Sequence, residues 1–112
     1  VQLSQAFTNI IKNAVEAVSL IPNPLIYVKM EETNNFINIS IIDNGVGLDD
    51  KKISKIFEPY FTTKDKGTGL GLSIVKKIIE DHGGTIKITK NKDMAGTKCQ
   101  ILFELNQWLE SW

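Results

Sequence analysis

Three short stretches of the sequence combine residue types that can bind a metal ion or a phosphate. In the first, NIIKNAVEA, the side chains of Asn9, Asn13 and Glu16 fall on one face of a helix at about 100° per residue, away from its apolar stripe. Asparagine is a poor choice for a merely solvated helix because its amide competes with the backbone, and its carbonyl oxygen suits Mg²⁺. An ordinary solvated outer face is the alternative interpretation.

The second stretch is DNGVG, which begins at Asp43. Asp43 has the same strand parity as Ile37, Ile39 and Ile41, so its carboxylate should point to the buried face and needs hydrogen-bond donors there. A type I′ hairpin turn is the alternative, but the following VGLDDKKISKIF has the spacing of a helix and not of a strand. Gly45 and Gly47 would let the backbone turn sharply and a flat ligand approach closely.

The third stretch is KGTGLGLS, with glycines at 67, 69 and 71 before a predicted helix. Free N–H groups and the dipole at a helix N-terminus favour an anion such as phosphate. The spacing matches neither the P-loop nor the dinucleotide-binding motif, and a capped helix start is the alternative. Lys64 and Lys66 could reach phosphate oxygens or remain solvated.

Composition limits what these stretches can belong to. The 112 residues, 42% hydrophobic and 23% charged, predict one globular domain over residues 1–112. Thirteen basic and thirteen acidic residues cancel, so no global field favours nucleic acid. The single cysteine, Cys99, is interpreted as a core thiol in a reducing compartment. There is neither an apolar run of about 18 residues nor a signal peptide, and the absence of an initial methionine suggests a piece of a longer protein.

Apolar periodicity and turn residues predict the elements that position these stretches. They are a helix from about Leu3 to Val18, paired strands at 25–31 and 36–42, a helix from about Gly69 to Gly83, and strands at 85–90 and 97–105. Two helices on one face of a mostly antiparallel sheet make an α+β two-layer sandwich. In the tail, Trp108, Leu109 and Trp112 could form one helical face that packs back or contacts a neighbouring domain.

In this order, NIIKNAVEA, DNGVG, FEPYFTTK and GTGLGL resemble the ATP-binding catalytic domain of sensor histidine kinases, in the GHKL/HATPase superfamily. FEPYFTTK and the short segment after it look most like the nitrogen-regulation class. The resemblance covers essentially the whole chain. It implies a two-layer α/β sandwich, the Bergerat ATP-binding fold, with a mixed, mostly antiparallel sheet. The edge strand that usually precedes the first helix would be missing, and residues from about 48 to 68 would form a mobile ATP lid.

The same resemblance implies ATP and Mg²⁺ as ligands and assigns roles to residues. Asn13 would coordinate Mg²⁺ with Asn9 and Glu16 beside it, and Asp43 would accept the adenine amino group. The full expected binding set comprises the N-terminal helix face, the base pocket, the lid with its anchors Phe57 and Phe61, and the triphosphate loop: Asn9, Asn13, Glu16, Asp43, Gly45, Gly47, Phe57, Phe61, Thr62, Thr63, Lys64, Gly67, Thr68, Gly69, Leu70, Gly71 and Leu72. Plain core packing is the alternative for Phe57, Tyr60 and Phe61.

Asn9 and Lys64 are the catalytic candidates. In the related gyrase-type ATPases the residue at the position of Asn9 is a glutamate, which activates water. The amide of Asn9 cannot act as a base, so phosphoryl transfer is favoured over hydrolysis. Transfer needs mainly positioning and charge neutralisation, to which Lys64 would contribute. Family members phosphorylate a histidine on a separate helical hairpin domain. His82, in EDHGG, is interpreted as a helix-capping residue, so the isolated chain should bind ATP·Mg²⁺ without labelling itself.

The expected partners are that histidine phosphoacceptor domain and a response regulator, without nucleic acid, in the cytoplasmic part of a sensor that can be membrane-anchored. An exposed sheet edge also suggests a homodimer. Three other functions stay open. They are a non-catalytic nucleotide sensor, a serine kinase that restrains a sigma factor, which FEPYFTTK disfavours, and a structural interaction domain that uses the tail tryptophans.

Overall fold

The computed structural model describes residues 2–59, 61 and 71–112. Tyr60, Lys66 and the predicted ligands Thr62, Thr63, Lys64, Gly67, Thr68, Gly69 and Leu70 lie outside the described residues. The elements in chain order are α1 Gln2–Ala17, β1 Ile26–Thr33, β2 Phe36–Asp43, α2 Asp50–Ile53, α3 Gly71–Asp81, β3 Gly84–Lys90, β4 Thr97–Glu104 and α4 Leu105–Glu110. No helix in this described part is long and apolar enough to cross a membrane.

The four described strands form one antiparallel sheet in the order β1-β2-β4-β3. β1 and β2 are the predicted hairpin, in a register that places Val28 opposite Ile41. β4 pairs with both β2 and β3, so Cys99 lies between Ile41 and Ile88. The central strands β2 and β4 therefore come from distant parts of the chain. Because they are antiparallel, the end of β2 lies beside the start of β4.

The hydrophobic core lies between this sheet and the helices α1 and α3. Alternate residues of β2 and β4 point toward the helices, as a strand period of two requires. The helices meet them with apolar residues at helical spacing. The buried core cluster is Leu3, Ala6, Ile10, Ala14, Ile37, Ile39, Ile41, Val75, Ile78, Ile79, Cys99, Ile101 and Phe103. The predicted α+β two-layer sandwich is confirmed.

The C-terminal tail packs back on the core through one tryptophan. The ring of Trp108 lies 5.4 Å from that of Phe103 and 6.3 Å from that of Phe7, centroid to centroid. Trp112 contacts Trp108 edge to face at 5.2 Å but remains 63% exposed, and Leu109 is 64% exposed. Packing of the tail onto the domain is therefore achieved by Trp108, while Leu109 faces solvent.

Candidate nucleotide-binding site

The candidate site is built around Asp43, the last residue of β2. Its side chain follows the strand parity into the buried face, and the residue is only 4% exposed. The Oδ1 atom accepts hydrogen bonds from Gly45 N (2.8 Å) and Thr97 N (3.3 Å), and Oδ2 accepts one from Thr97 Oγ1 (2.7 Å). The predicted burial of this carboxylate is confirmed. Its three donors satisfy the requirement that a buried charge be hydrogen-bonded.

The chain after Asp43 does not turn into a second strand. Gly45 passes so close to the end of α1 that a Cβ atom there would lie 2.4 Å from the Ala17 carbonyl oxygen. Val46 N–H donates to the same carbonyl at 3.2 Å. Gly47 follows with a φ of +74°. The glycine at position 45 is thus required by a backbone contact, and the type I′ hairpin interpretation of DNG is wrong.

Asn44 fixes this loop on its other side. Its Oδ1 accepts from Leu25 N at 2.8 Å, and its Nδ2 donates to the Asn23 carbonyl at 3.0 Å. Asn44 N–H also donates to the Leu25 carbonyl at 3.2 Å. The DNG stretch is therefore tied to β4 through Asp43, to the loop before β1 through Asn44, and to α1 through Gly45 and Val46.

The contact with Ala17 brings this loop to the helix that carries the predicted metal ligands. Ala17 lies four residues after Asn13 and hence on the same side of α1. Asn9 and Asn13 are half-buried and Glu16 is exposed. Two amide oxygens and a carboxylate on one face are hard donors, which fit a Mg²⁺ ion that completes its coordination with water and phosphate. In the described ranges no cluster of three or more His, Cys, Asp or Glu residues could hold a metal.

Of the segment predicted as a lid, the structure describes residues 48–59 and 61. Asp49 caps the short helix α2, because its Oδ1 accepts from Lys52 N at 2.8 Å. Phe57 and Phe61 are half-buried and neither belongs to the core cluster, which does not support the core-packing alternative. The Phe57 ring instead lies 5.3 Å from the Lys76 Nζ atom of α3. This cation–π contact joins the described part of the predicted lid to α3.

The glycine-rich stretch is described from Gly71, the first residue of α3. Gly71 is exposed, and no described atom lies within 4 Å of a Cβ atom built on it. Leu72 is half-buried and packs against the core cluster. The end of α3 carries His82, whose Nδ1 is 2.7 Å from the Ile78 carbonyl oxygen. The half-buried ring thus caps the last turn of the helix, as predicted.

Sequence reasoning missed the contribution of the β3–β4 turn, residues 91–96, and of Thr97. In the sequence these residues form only a polar connection, yet in the structure Asn91 Nδ2 donates to the Asp43 carbonyl at 3.0 Å. A Cβ atom at Gly96 would lie 2.0 Å from the same carbonyl oxygen, and Gly96 has a φ of +117°. Gly96, directly before β4, marks a turn in the sequence, but nothing local indicates its contact with Asp43.

Cys99 lies in the core beneath this region. It is 8% exposed, and burial raises the pKa of its thiol to about 12. A neutral thiol of this kind is inert at neutral pH. The prediction of a buried core thiol is confirmed.

Comparison with known proteins places this geometry in a family. Residues 1–107 match the family model described as histidine kinase-, DNA gyrase B- and HSP90-like ATPase. The nitrogen regulation protein NtrY of Azorhizobium caulinodans is 47% identical over 91 residues, which are 77% of this chain and 12% of that protein. The sensor histidine kinase ZraS of Escherichia coli is 38% identical over 96 residues, 86% of this chain and 20% of that protein. This chain therefore spans a fifth or less of these two relatives.

The fold has close counterparts among solved structures. The catalytic domain of histidine kinase ThkA, in a nucleotide-free form, superimposes with a TM-score of 0.78 and 36% sequence identity. The superposition covers 92% of this chain and 66% of that one. The predicted α+β sandwich agrees with the superposition on ThkA, and the predicted resemblance to nitrogen-regulation kinases agrees with the similarity to NtrY.

Proposed function

Because the chain belongs to the family of histidine kinase-, DNA gyrase B- and HSP90-like ATPases, we propose that it is the ATP-binding catalytic domain of a sensor histidine kinase. In this proposal the domain binds ATP·Mg²⁺ and donates the γ-phosphoryl group to a histidine of a separate domain. The relatives that are named as sensor kinases favour this function over the non-catalytic and serine-kinase alternatives.

The observation that carries the proposal is the buried carboxylate of Asp43. A charged group that is 4% exposed has a cost in desolvation, and here it is held by three donors at the end of a central strand. A carboxylate oxygen can accept about two hydrogen bonds, and Oδ2 accepts one from the described residues. We assign its second acceptor position to the exocyclic amino group of adenine, with Gly45 and Gly47 shaping the base pocket.

The triphosphate is proposed to lie between α1 and the start of α3. The N-terminal turn of α3, with Gly71 at its first position, presents backbone N–H groups and the positive end of the helix dipole. Asn13, assisted by Asn9 and Glu16, would hold Mg²⁺. When bound, this ion supplies charge neutralisation to the phosphates. Residues 67–70 and Lys64 belong to the same proposed set.

The reaction is proposed as transfer and not hydrolysis. An imidazole nitrogen of the acceptor histidine forms a bond to the γ-phosphorus while the bond to the β,γ-bridging oxygen breaks, ADP leaves, and the imidazole loses its proton. Asn9 offers no base to activate water, and His82 is occupied as the cap of α3. The nucleophile therefore has to come from another domain, and this chain contributes binding and orientation.

The proposal also covers the interaction partners of the domain and its cellular localisation. The phosphoacceptor domain and a response regulator are the expected partners, and the domain is placed in the cytoplasm, where ATP is supplied.

The deciding experiment has two stages. First, ATP with Mg²⁺ is titrated into the chain and into its Asp43→Asn variant, where we expect binding by the first and strongly weakened binding by the second. Second, the histidine domain of the full-length protein is added with γ-labelled ATP. Label on that histidine supports a kinase, whereas binding without any transfer would identify a nucleotide sensor. Absence of ATP binding by the unmodified chain would refute the proposed function.

A further inference from the structure

The β3–β4 turn and the residue that follows it hold both the main-chain carbonyl and the side-chain carboxylate of Asp43. From the start of the turn, Asn91 Nδ2 donates to the Asp43 main-chain carbonyl at 3.0 Å. Just past its end, Thr97 donates through N and Oγ1 to the Asp43 carboxylate, at 3.3 and 2.7 Å. The turn itself is closed by a hydrogen bond from Asn91 N to the Gly96 carbonyl at 3.0 Å. The turn and the first residue of β4 thus fix the backbone and the side chain of the same residue.

These bonds depart from the regular pattern of the sheet. In the β1–β2 ladder Asn44 N–H donates to the Leu25 carbonyl, so the main-chain N–H and C=O groups of Asn44 point toward β1. Those of the preceding residue, Asp43, therefore point toward β4. A regular continuation of the β2–β4 register would place Thr97 opposite Asp43, with Thr97 N–H donating to the Asp43 carbonyl. Thr97 N–H donates to the Asp43 side chain instead, and the carbonyl receives the amide of Asn91.

We propose that Asn91 is a positioning residue for base recognition: it donates to the Asp43 carbonyl in place of the regular ladder donor, Thr97 N–H, which instead holds the carboxylate that accepts the adenine amino group. The inference rests on the proposed function, since it needs Asp43 to contact the base. Gly96 assists, because its lack of a side chain lets the turn approach the Asp43 carbonyl. Without the Asn91 donor, Thr97 N–H returns to the carbonyl and the carboxylate loses one of its fixing bonds.

Two variants separate this role from a general contribution to stability. In Asn91→Asp the side chain keeps its shape, and an oxygen can still accept from Asp93 N, as Asn91 Oδ1 does at 3.2 Å. It no longer donates to Asp43. Asn91→Ser is the second variant, because a hydroxyl can also support the turn but is shorter than the amide. The matched control is Asn38→Asp, which makes the same charge change at a half-buried residue whose Oδ1 only accepts, from Gln100 Nε2 at 3.3 Å.

The readout is the affinity for ATP relative to ITP, which has an oxygen in place of the amino group that Asp43 would accept. We expect the unmodified chain and Asn38→Asp to prefer ATP equally. Asn91→Asp and Asn91→Ser should weaken ATP binding by about three- to tenfold, the range of one net hydrogen bond, and ITP binding by less than about twofold. Melting temperatures without nucleotide monitor the fold.

The outcomes distinguish the two proposals. If the unmodified chain prefers ATP and both Asn91 variants keep the same ATP:ITP ratio, the role of Asn91 is refuted while the proposed function stands. Equal weakening of ATP and ITP by folded variants would likewise reduce Asn91 to a stabilising residue. If the unmodified chain binds neither nucleotide, the proposed function fails and the role of Asn91 fails with it.

Discussion

The Thr97 hydroxyl donates a 2.7 Å hydrogen bond to Asp43 Oδ2 across 54 positions of the sequence. This bond joins the end of β2 to the start of β4, so the proposed base pocket depends on the pairing of two central strands. Thr97 also fills one acceptor position on Oδ2, which limits how a ligand can approach the carboxylate. The pocket is therefore fixed by the sheet and not by the loop after Asp43 alone.

Asp43→Asn should weaken ATP binding without unfolding the domain. The variant keeps the oxygen that can accept from Gly45 and Thr97, but places an amide where an acceptor for the adenine amino group is needed. Loss of one hydrogen bond to a charged group predicts a dissociation constant raised about 10- to 100-fold, measured by isothermal titration calorimetry. The exposed Asp93→Asn is the matched control and should bind as the unmodified chain does. Equal affinities of the two variants would contradict the assignment.

Gly45→Ala should destabilise the fold itself. The added methyl group would lie 2.4 Å from the Ala17 carbonyl oxygen and 2.6 Å from its carbon, and both are backbone atoms that cannot rotate away. We expect the free energy of unfolding to fall by about 1–3 kcal/mol, as for other overpacked sites. Urea denaturation followed by circular dichroism measures it. An unchanged midpoint would show that the loop can move away from α1.

Unlike Gly45→Ala, Gly71→Ala should weaken ATP binding without lowering the stability of the fold. A methyl group there meets no described atom within 4 Å, and alanine favours a helix over glycine by up to about 1 kcal/mol. Stability should be equal or higher, while ATP affinity falls if the triphosphate approaches the backbone at this position. Calorimetric titration and thermal melting of the same samples test both. Unchanged ATP affinity would remove Gly71 from the proposed phosphate site.

Much of the fold could be predicted from the sequence because local periodicity decides it. The alternation of Ile37, Ile39 and Ile41 located a half-buried strand, and its parity placed Asp43 inside. The apolar spacing in α1 likewise predicted which face is buried and which carries Asn9 and Asn13.

The parts that were missed depend on contacts between distant segments. Asn91 and Thr97 are 48 and 54 residues from Asp43, and their own neighbours in the sequence form only a polar turn and a strand. Gly96 gave no sign that it passes close to another backbone. For the DNG stretch, local turn chemistry favoured a hairpin, whereas the end of α1 and the loop before β1 determine its path.

Cys99 should be unreactive toward thiol reagents in the folded chain, and its ionisation on unfolding should lower the free energy of unfolding at alkaline pH. Burial raises its pKa from 9.0 to about 12, so the folded thiol ionises about a thousandfold less than the unfolded one near pH 8. The unfolded chain loses this proton near pH 9 and the folded chain keeps it, so this contribution to the free energy of unfolding falls between pH 9 and about 12. A colorimetric thiol reagent at pH 8 should react only after denaturation. Rapid labelling of the native chain would contradict this, and Cys99→Ala should lose this part of the pH dependence.

The open edge of β1 predicts self-association of the chain. Among the described strands β1 pairs only with β2. Because Asn44 N–H donates to Leu25, hydrogen-bonded pairs with β2 fall on odd-numbered residues of β1. The even-numbered residues, including Val28 and Met30, therefore direct their N–H and C=O groups outward, and both side chains are more than half exposed. Such an edge favours pairing with another strand.

A second copy fits this edge best in one antiparallel register. With Met30 opposite Met30 of the other copy, Lys29 of each copy faces Glu31 of the other. The neighbouring antiparallel registers instead place Lys29 opposite Lys29, or Glu31 opposite Glu31, and so pair like charges. Sedimentation velocity over a concentration series should show a dimer that Lys29→Glu disrupts and that the exchange Lys29→Glu with Glu31→Lys restores. Lys51→Glu in α2 is the control for the charge change and should leave the dimer intact. A monomer at every concentration would exclude this assembly, because the pairing needs nothing beyond the strand itself.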